Sequence, residues 1–134
     1  MAETRQAERP LSPHLQIYRF TITMAMSIIH RITGAGLYVG TLLLAAWLIS
    51  VAMGPDAYAA FQSVAGSWIG QLILFGFTWA LIHHLFSGIR YLMWDNIRAF
   101  DNRTADVISW IAAVAAFAAA IIVWIVAFKL RGVL

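Results

Sequence analysis

The chain contains no cysteine, and it is poor in charged residues. The absence of cysteine excludes structural disulfides, thiolate-bound iron–sulfur clusters and a haem attached covalently through C-x-x-C-H. Only 11% of the 134 residues are charged and 62% are hydrophobic, whereas soluble domains average about a quarter charged residues. The net charge of +3 is also small. The composition therefore predicts an integral membrane protein with no nucleic-acid partner.

Long apolar stretches take the place of the missing charge. Three of them are long enough for a membrane crossing, which needs about 20 apolar residues in a helix. The predicted fold is all-α, a single membrane-anchor domain over residues 1–134 that crosses the bilayer roughly at 24–53, 67–94 and 107–128. The polar residues 1–22 are expected to form a segment at the membrane surface.

Local sequence signals predict how the crossings are connected and packed. Gly54-Pro55-Asp56 is a turn signal that ends the first crossing, and residues 57–65 are expected to be a short connection. The third crossing is rich in alanine, and small residues let membrane helices approach closely. We expect the third crossing to be a packing helix without a site of its own.

The positions of arginine and lysine predict the orientation in the membrane. The loop after the first crossing has no basic residue, and the seven basic residues used for this argument are Arg5, Arg9, Arg19, Arg98, Arg103, Lys129 and Arg131. Five of them lie in the N-terminal segment or the second loop, and cytoplasmic segments carry the excess of such residues. We therefore expect a multi-pass protein of a bacterial inner membrane, with a cytoplasmic N-terminus and a periplasmic C-terminus.

His84 is the first candidate functional residue, because it lies deep in the second apolar stretch. An ionisable side chain at membrane depth is costly unless it is paired or liganded, so it marks a candidate site. Neutral imidazole is a common iron ligand, and the nearby Gly88 would leave room for a flat macrocycle. The alternative is a packing histidine whose hydrogen bonds are satisfied by a neighbouring helix.

Helical geometry separates His84 from its neighbour His83. Gly88 and Tyr91 follow His84 at four and seven residues, so the three share one face of an ideal helix. His83 points about 100° away and shares its face with Arg90. The two histidines therefore cannot both bind one iron, and His83 is expected instead to form a hydrogen bond with a neighbouring helix.

Three polar residues at the start of the first crossing form a second candidate site. Ser27 and Arg31 are four residues apart and share a face, and His30 lies close to it. Arg31 could extend to the lipid headgroups, which is a purely structural role. The functional alternative is that His30 and Arg31 neutralise haem propionates, while Ser27 donates a hydrogen bond to a carbonyl-bearing ligand.

Three motifs resemble those of one membrane-protein family. They are RPLSPHLQIY at residues 9–18, SIIHRITG at 27–34 and HHLFSGIRYLMWD at 83–95. In their order and spacing the motifs are similar to those of the cytochrome b membrane-anchor subunit of succinate dehydrogenase, the larger of the two small anchors of respiratory complex II. The resemblance covers essentially the whole chain, although many relatives have histidine at the position of Tyr91.

The resemblance implies a function and a set of cofactors. One haem b would be shared with a second membrane-anchor subunit, with His84 as one axial ligand, Gly88 packing on the haem, and His30 and Arg31 near its propionates. Ser27 and Arg31 would line a ubiquinone-reduction site. A flavoprotein subunit would oxidise succinate, and an iron–sulfur subunit would pass the electrons on. The chain would thus be a subunit of succinate:ubiquinone oxidoreductase that does not itself bind succinate.

Two other functions are compatible with the sequence. The first is the anchor subunit of a fumarate reductase, because the direction of the reaction depends on other subunits. The second is a haem-free structural anchor or a small transporter subunit, in which His84 is only a packing residue. Transporters often show internal repeats or broken helices near the midplane, and the sequence shows neither.

Overall fold

A computed structural model describes residues 17–132 of the chain. In that part the chain is helical and contains no strand. It forms four helices, α1 (Ile22–Met53), α2 (Pro55–Ala65), α3 (Trp68–Asp95) and α4 (Asn102–Leu130). Residues 1–16 of the predicted surface segment at 1–22, and with them most of the motif at 9–18, lie outside the described residues.

Three of the helices can cross a membrane, as the sequence predicts. α1, α3 and α4 have 32, 28 and 29 residues, with mean hydropathy of 1.9, 1.6 and 2.8 over their most apolar windows. At 1.5 Å per residue these helices are about 42 to 48 Å long, which exceeds the hydrocarbon thickness of roughly 30 Å. The predicted all-α fold with three long apolar helices is confirmed. α4 begins at Asn102, whereas the third crossing was expected from 107.

The connection after α1 is itself a helix, which differs from the expected loop at 57–65. Gly54 ends α1 with a φ of +107°, a left-handed conformation that favours glycine. Pro55 then occupies the first turn of α2, where its fixed φ suits a helix and its missing N–H costs nothing. The same three residues therefore end one helix and begin the next.

Each long helix begins at a residue whose side chain caps it. Thr21, Ser67 and Asp101 accept hydrogen bonds from the backbone N–H three residues later, at the first turns of α1, α3 and α4. Such oxygens satisfy N–H groups that have no partner inside the helix. The caps fix where each helix starts, and therefore which residues face its neighbours.

α3 packs between α1 and α4 and runs antiparallel to both. His30 of α1 lies near Tyr91 of α3, while Gly40 of α1 lies against Phe77. α4 approaches α3 closely through a row of small buried residues: Ala105, Ser109, Ala112, Ala116 and Ala120. The prediction that the third crossing is a packing helix agrees with this row. We call the end where α1 begins, α3 ends and α4 begins the proximal end, and the opposite end the distal end.

Candidate functional site

His84 lies on the side of α3 that faces α1. Its ring stacks on the ring of His30, with 4.0 Å between the centroids and 11° between the planes. Its Nδ1 atom is 3.4 Å from the hydroxyl oxygen of Thr33. The structure therefore brings two of the predicted site residues, His30 and His84, into direct contact across the α1–α3 interface.

Thr33 was not among the residues predicted for the site. It is buried, with 4% of its surface exposed, and its hydroxyl donates a hydrogen bond of 3.0 Å to the backbone carbonyl of His30. Threonine in a helix commonly bonds back to the carbonyl of an earlier turn. The spacing of Thr33 after His30 was visible in the sequence, but only the packing of α1 on α3 shows that it reaches His84.

Two glycines of the motifs have different surroundings. A Cβ atom at Gly34 would lie 3.1 Å from Cε1 of His84, so the bare backbone there lets the imidazole ring approach α1 closely. A Cβ atom at Gly88 would meet no atom of the described residues within 4 Å. Gly88 thus leaves a stretch of helix surface beside His84 that the other described residues do not cover.

A cleft opens at the proximal end, where α1, α3 and α4 meet. Its volume is about 680 Å³, and Ser27 lines it. The other lining residues combine aromatic rings with hydroxyl, amide and carboxylate groups: Thr21, Thr23, Met24, Tyr91, Trp94, Phe100, Asn102, Ala105 and Asp106. An amphipathic lining of this kind suits a ligand that has both a flat ring and polar oxygens.

Arg31 follows Ser27 by one helical turn, but it does not line this cleft. Its side chain is exposed. Within residues 17–132 it forms no hydrogen bond or ion pair with another side chain. The structure therefore gives Arg31 no partner among the described residues.

The other side of α3 carries a second polar group, and that group is deeply buried. His83, Ser87 and Arg90 are 2%, 0% and 1% exposed. Arg90 Nη1 donates a hydrogen bond to Ser109 of α4, and its guanidinium lies 4.7 Å from the ring centroid of Trp94. As predicted, His83 and Arg90 share a face that is separate from that of His84.

His83 does not form the hydrogen bond to a neighbouring helix that the sequence led us to expect. Neither of its ring nitrogens has a hydrogen-bond partner among the described residues. Its ring instead lies 5.3 Å from the ring of Trp79, one turn earlier on the same helix. Burial by aromatic packing therefore replaces the expected polar contact.

The donor atoms near His84 fit a haem better than a chelated metal ion. No group of three or more histidine, cysteine or acidic residues lies together in the part of the chain that the structure describes. A metal held by such residues would therefore take only one or two ligands from them, as haem iron does. The one hydrogen bond described for the His84 ring uses Nδ1, which leaves Nε2 for a metal.

Comparison with known proteins gives a consistent family. Residues 5–127 match the family model described as succinate dehydrogenase/fumarate reductase transmembrane subunit. A succinate dehydrogenase cytochrome b556 subunit of Paracoccus denitrificans is 44% identical over 95 residues, covering 71% of this chain and 73% of the relative. The subunit of the same name from Rickettsia felis is 33% identical over 128 residues, covering 93% and 100%.

A relative outside the bacteria has the same pattern. The succinate dehydrogenase cytochrome b560 subunit of Reclinomonas americana is 34% identical over 131 residues, covering 88% of this chain and 85% of the relative. The family match spans α1, α3, most of α4 and the motifs at 27–34 and 83–95. This chain is therefore a multi-pass membrane protein that belongs to the family of succinate dehydrogenase and fumarate reductase transmembrane subunits.

Proposed function

We propose that this chain is the haem b-binding membrane anchor of a succinate:ubiquinone oxidoreductase, and that His84 is an axial ligand of the haem iron. The observation that carries the proposal is the position of the His84 ring. It is held against His30 and Thr33 of α1, with Nδ1 engaged and Nε2 free of hydrogen bonds to the described residues. The cytochrome b556 names of the relatives support a haem b in the complex.

The residues around His84 have distinct roles in this proposal. A haem b bound there would supply one-electron transfer. His84 Nε2 would hold the iron, and Gly88 would keep the adjacent helix surface free of side chains. His30 and Arg31 provide positive or hydrogen-bonding groups for the two propionates.

A second histidine ligand, if the iron has one, would come from another subunit. The rings of His30 and His84 are stacked face to face, so they cannot bind one iron from opposite sides. His83 lies on the other face of α3 and is 2% exposed, with its ring against Trp79 of the same helix. Among the described histidines none can be the second ligand, so in this proposal a second membrane-anchor subunit supplies it if the iron is bound by two histidines.

Ubiquinone reduction is assigned to the cleft at the proximal end. The Ser27 hydroxyl donates a hydrogen bond to one quinone carbonyl oxygen, and the rings of Tyr91 and Trp94 give the cleft flat apolar walls. Negative charge develops on the quinone oxygens as electrons arrive, and fixed donors or cations that stabilise this charge lower the barrier. Arg31, one turn after Ser27 and outside the cleft lining, would act from beyond the cleft, because its guanidinium keeps its charge even in a partly apolar setting.

The orientation follows from the basic residues and from the position of this cleft. The proximal end carries Arg19, Arg98 and Arg103, so we place it on the cytoplasmic side of a bacterial inner membrane. The flavoprotein and iron–sulfur subunits then dock at the end where the Ser27 cleft opens. Electrons from succinate then enter the membrane domain beside the quinone site. They do not have to cross the membrane to reach the quinone.

An optical spectrum tests the haem assignment. Membranes that contain the whole complex would be compared as dithionite-reduced minus oxidised spectra for the wild type, His84→Ala and His83→Ala. We expect a b-type α-band that His84→Ala abolishes and His83→Ala retains in proportion to assembled complex. The adjacent histidine is the matched control, because both changes remove an imidazole from the same turn of α3. An assembled wild-type complex without the band would overturn the proposal in favour of a haem-free anchor.

A kinetic comparison tests the quinone assignment separately. Ser27→Ala removes one hydrogen bond to the substrate, so we expect the KM for ubiquinone to rise about 10-fold, the equivalent of roughly 1.4 kcal/mol. Succinate oxidation by a soluble dye, which bypasses the membrane domain, should stay unchanged. Ser63→Ala, an exposed serine of α2 at the distal end, is the matched control. Equal effects of Ser27→Ala on both acceptors would contradict a quinone site at this cleft.

The names of the relatives favour succinate oxidation over fumarate reduction. The family description nevertheless includes both enzymes. Rates measured in both directions with ubiquinone and with a low-potential quinol separate the two. Faster fumarate reduction with the low-potential quinol would identify a fumarate-reductase anchor and leave the role of His84 intact.

A further inference from the structure

We infer that Thr33 is a positioning residue for the haem ligand, because it fixes which nitrogen of His84 carries the proton. This inference rests on the proposed role of His84 as an axial ligand. Iron can bind only a ring nitrogen that has a free lone pair, so the tautomer of the imidazole decides which nitrogen is available. Thr33 touches one nitrogen of the ring and leaves the other free.

The direction of the hydrogen bond follows from the inventory of protons. A threonine hydroxyl has one proton to donate and two lone pairs to accept with. The Thr33 proton is used in the 3.0 Å bond to the carbonyl oxygen of His30. The same hydroxyl can therefore only accept from His84 Nδ1, 3.4 Å away. Nδ1 thus carries the hydrogen, and Nε2 has the lone pair.

Contacts on other sides of the ring keep it in this position. The ring of His30 covers one face of the imidazole at 4.0 Å. The bare backbone at Gly34 lies beside the Cε1 edge, where even a methyl group would be only 3.1 Å away. Thr33 is itself buried, so water has little access to compete for the bond. One face, one edge and one nitrogen of the ring are all set by residues of α1.

A neighbouring histidine shows what the absence of such a partner looks like. His83 has no hydrogen-bond partner on either nitrogen among the residues from 17 to 132, so nothing described there selects its tautomer. Partners of the non-ligating nitrogen fix ring orientation and raise the basicity of the ligating one. Among the described residues, only His84 of the two adjacent histidines has a hydrogen-bond partner for one ring nitrogen, and that partner is Thr33 of α1.

Removing the hydroxyl oxygen of Thr33 should change the midpoint potential and the retention of the haem. A more basic ligand favours the ferric state, so loss of the bond should raise the midpoint potential of the haem. It should also weaken haem retention about 10-fold or more, the typical cost of losing such a partner. Thr33→Val keeps the shape of the side chain but removes the oxygen. Thr33→Ser keeps the oxygen and loses one methyl group.

The experiment uses the whole complex with wild-type, Thr33→Val, Thr33→Ser, Thr33→Ala and His84→Ala anchors. The midpoint potential is measured by redox titration of the α-band, and haem retention by the rate of transfer to apomyoglobin. We expect Thr33→Val and Thr33→Ala to raise the potential and to speed haem loss about 10-fold or more, while Thr33→Ser stays near the wild type. Thr33→Ala covers the case in which valine disturbs packing, because it removes the oxygen without adding bulk.

The outcomes separate this inference from the proposed function. An unchanged potential and unchanged haem retention in Thr33→Val and Thr33→Ala would overturn the role of Thr33, even where His84→Ala loses the haem. Equal changes in Thr33→Ser and Thr33→Val would also overturn it, because the effect would then be one of packing. A wild-type complex without an α-band would instead overturn the haem assignment of His84.

Discussion

The two sides of α3 each carry a histidine, but they differ in burial and in partners. On the α1 side, His84 is half-buried, contacts two residues of α1 and lies near the uncovered backbone of Gly88. On the α4 side, His83 and Arg90 are almost fully buried against α4 and the rings of neighbouring tryptophans. We refer to these surfaces as the α1 side and the α4 side.

If His84 is the ligand, as proposed, depth of burial alone does not identify a ligand. A ligand needs one nitrogen held by the protein and one nitrogen open to the metal. The α1 side meets this condition, whereas the α4 side encloses its polar groups completely. Ionisable groups inside membrane helices usually mark function, but Arg90 shows a second use. Its guanidinium bonds to Ser109 and stacks on Trp94, and so links α3 to α4.

The largest loss of assembled complex and of thermal stability should come from removing the contact of Arg90 with α4. Arg90→Ala would leave a cavity between α3 and α4, and large-to-alanine changes in packed interiors cost about 3 kcal/mol. We expect much less assembled complex and a lower melting temperature of what remains. The α-band per assembled complex should keep its position, because the proposed haem site is on the α1 side. Thermal unfolding of the purified complex, followed by size-exclusion chromatography, measures the loss.

Arg90→Met is the control that separates loss of the charge from loss of side-chain volume. Methionine fills most of the space without a charge, and an apolar residue of similar volume often replaces a buried charge at little cost. We therefore expect Arg90→Met to retain far more complex than Arg90→Ala. If Arg90→Met assembles normally but loses the α-band, the α4 side takes part in haem binding and the comparison between the two sides fails.

A smaller loss of stability is expected from a substitution at the contact between α1 and α3 toward the distal end. A Cβ atom at Gly40 would lie 1.9 Å from the ring of Phe77, so Gly40→Ala must displace that ring or separate the helices. Overpacking of this kind typically costs 1–3 kcal/mol. Gly36→Ala is the matched control, because a Cβ there meets nothing within 4 Å among the described residues.

Melting of the two glycine variants decides the outcome. Gly40→Ala should lower the melting temperature and loosen the α1–α3 contact on which the His84 position depends, so haem loss should also become faster. Gly36→Ala should change neither. Equal melting of both variants would mean that Phe77 moves aside freely, and that the α1 side is less rigid than its contacts imply.

Some of this arrangement could be predicted from the sequence. Long hydrophobic stretches predicted the three crossings. The helical period placed His84, Gly88 and Tyr91 on one face of the second crossing. It placed His83 and Arg90 on another face. These features depend only on distances along one helix. The helical conformation of α2 was missed because Gly54-Pro55-Asp56 ends a helix and also suits the start of another.

Other parts of the site depend on how the helices pack. Thr33 looked like an ordinary residue of the first crossing until α1 was placed against α3. The burial of Arg90 was equally hidden, because a helical period shows which residues share a face but not which neighbour covers that face. The roles of Ser27 and Arg31 stay predictions, since their partners lie outside this chain.

A still smaller effect should follow from a polar link on the distal half of the α4 side. The indole N–H of Trp124 donates a hydrogen bond of 3.2 Å to the hydroxyl of Thr78. Thr78→Val removes the acceptor, and hydrogen bonds between membrane helices contribute on average about 0.6 kcal/mol. We expect a slightly lower melting temperature of the complex, with Thr78→Ser as the control that keeps the oxygen. A drop as large as that of Arg90→Ala would show that the distal half, not the Arg90 contact, holds α4 in place.

The smallest effect should come from the exposed start of α4, which sets the residues that α4 presents to α3. Hydrogen bonds from Thr104 to the carboxylate of Asp101 hold the pKa of Asp101 below its ordinary value near 3.8. A carboxyl whose pKa is lower in the folded state stabilises that state fully above its ordinary pKa. This contribution is lost as the pH falls through the lower pKa of the folded state.

Asp101→Asn keeps a capping oxygen but does not titrate, so the difference in melting temperature between wild type and variant should shrink on going from about pH 6 to pH 3. Because Asp101 is fully exposed, the change should be small and weaker in high salt. A difference that stays constant with pH would show that the cap acts through its hydrogen bond alone, and that its charge does not help to fix the start of α4.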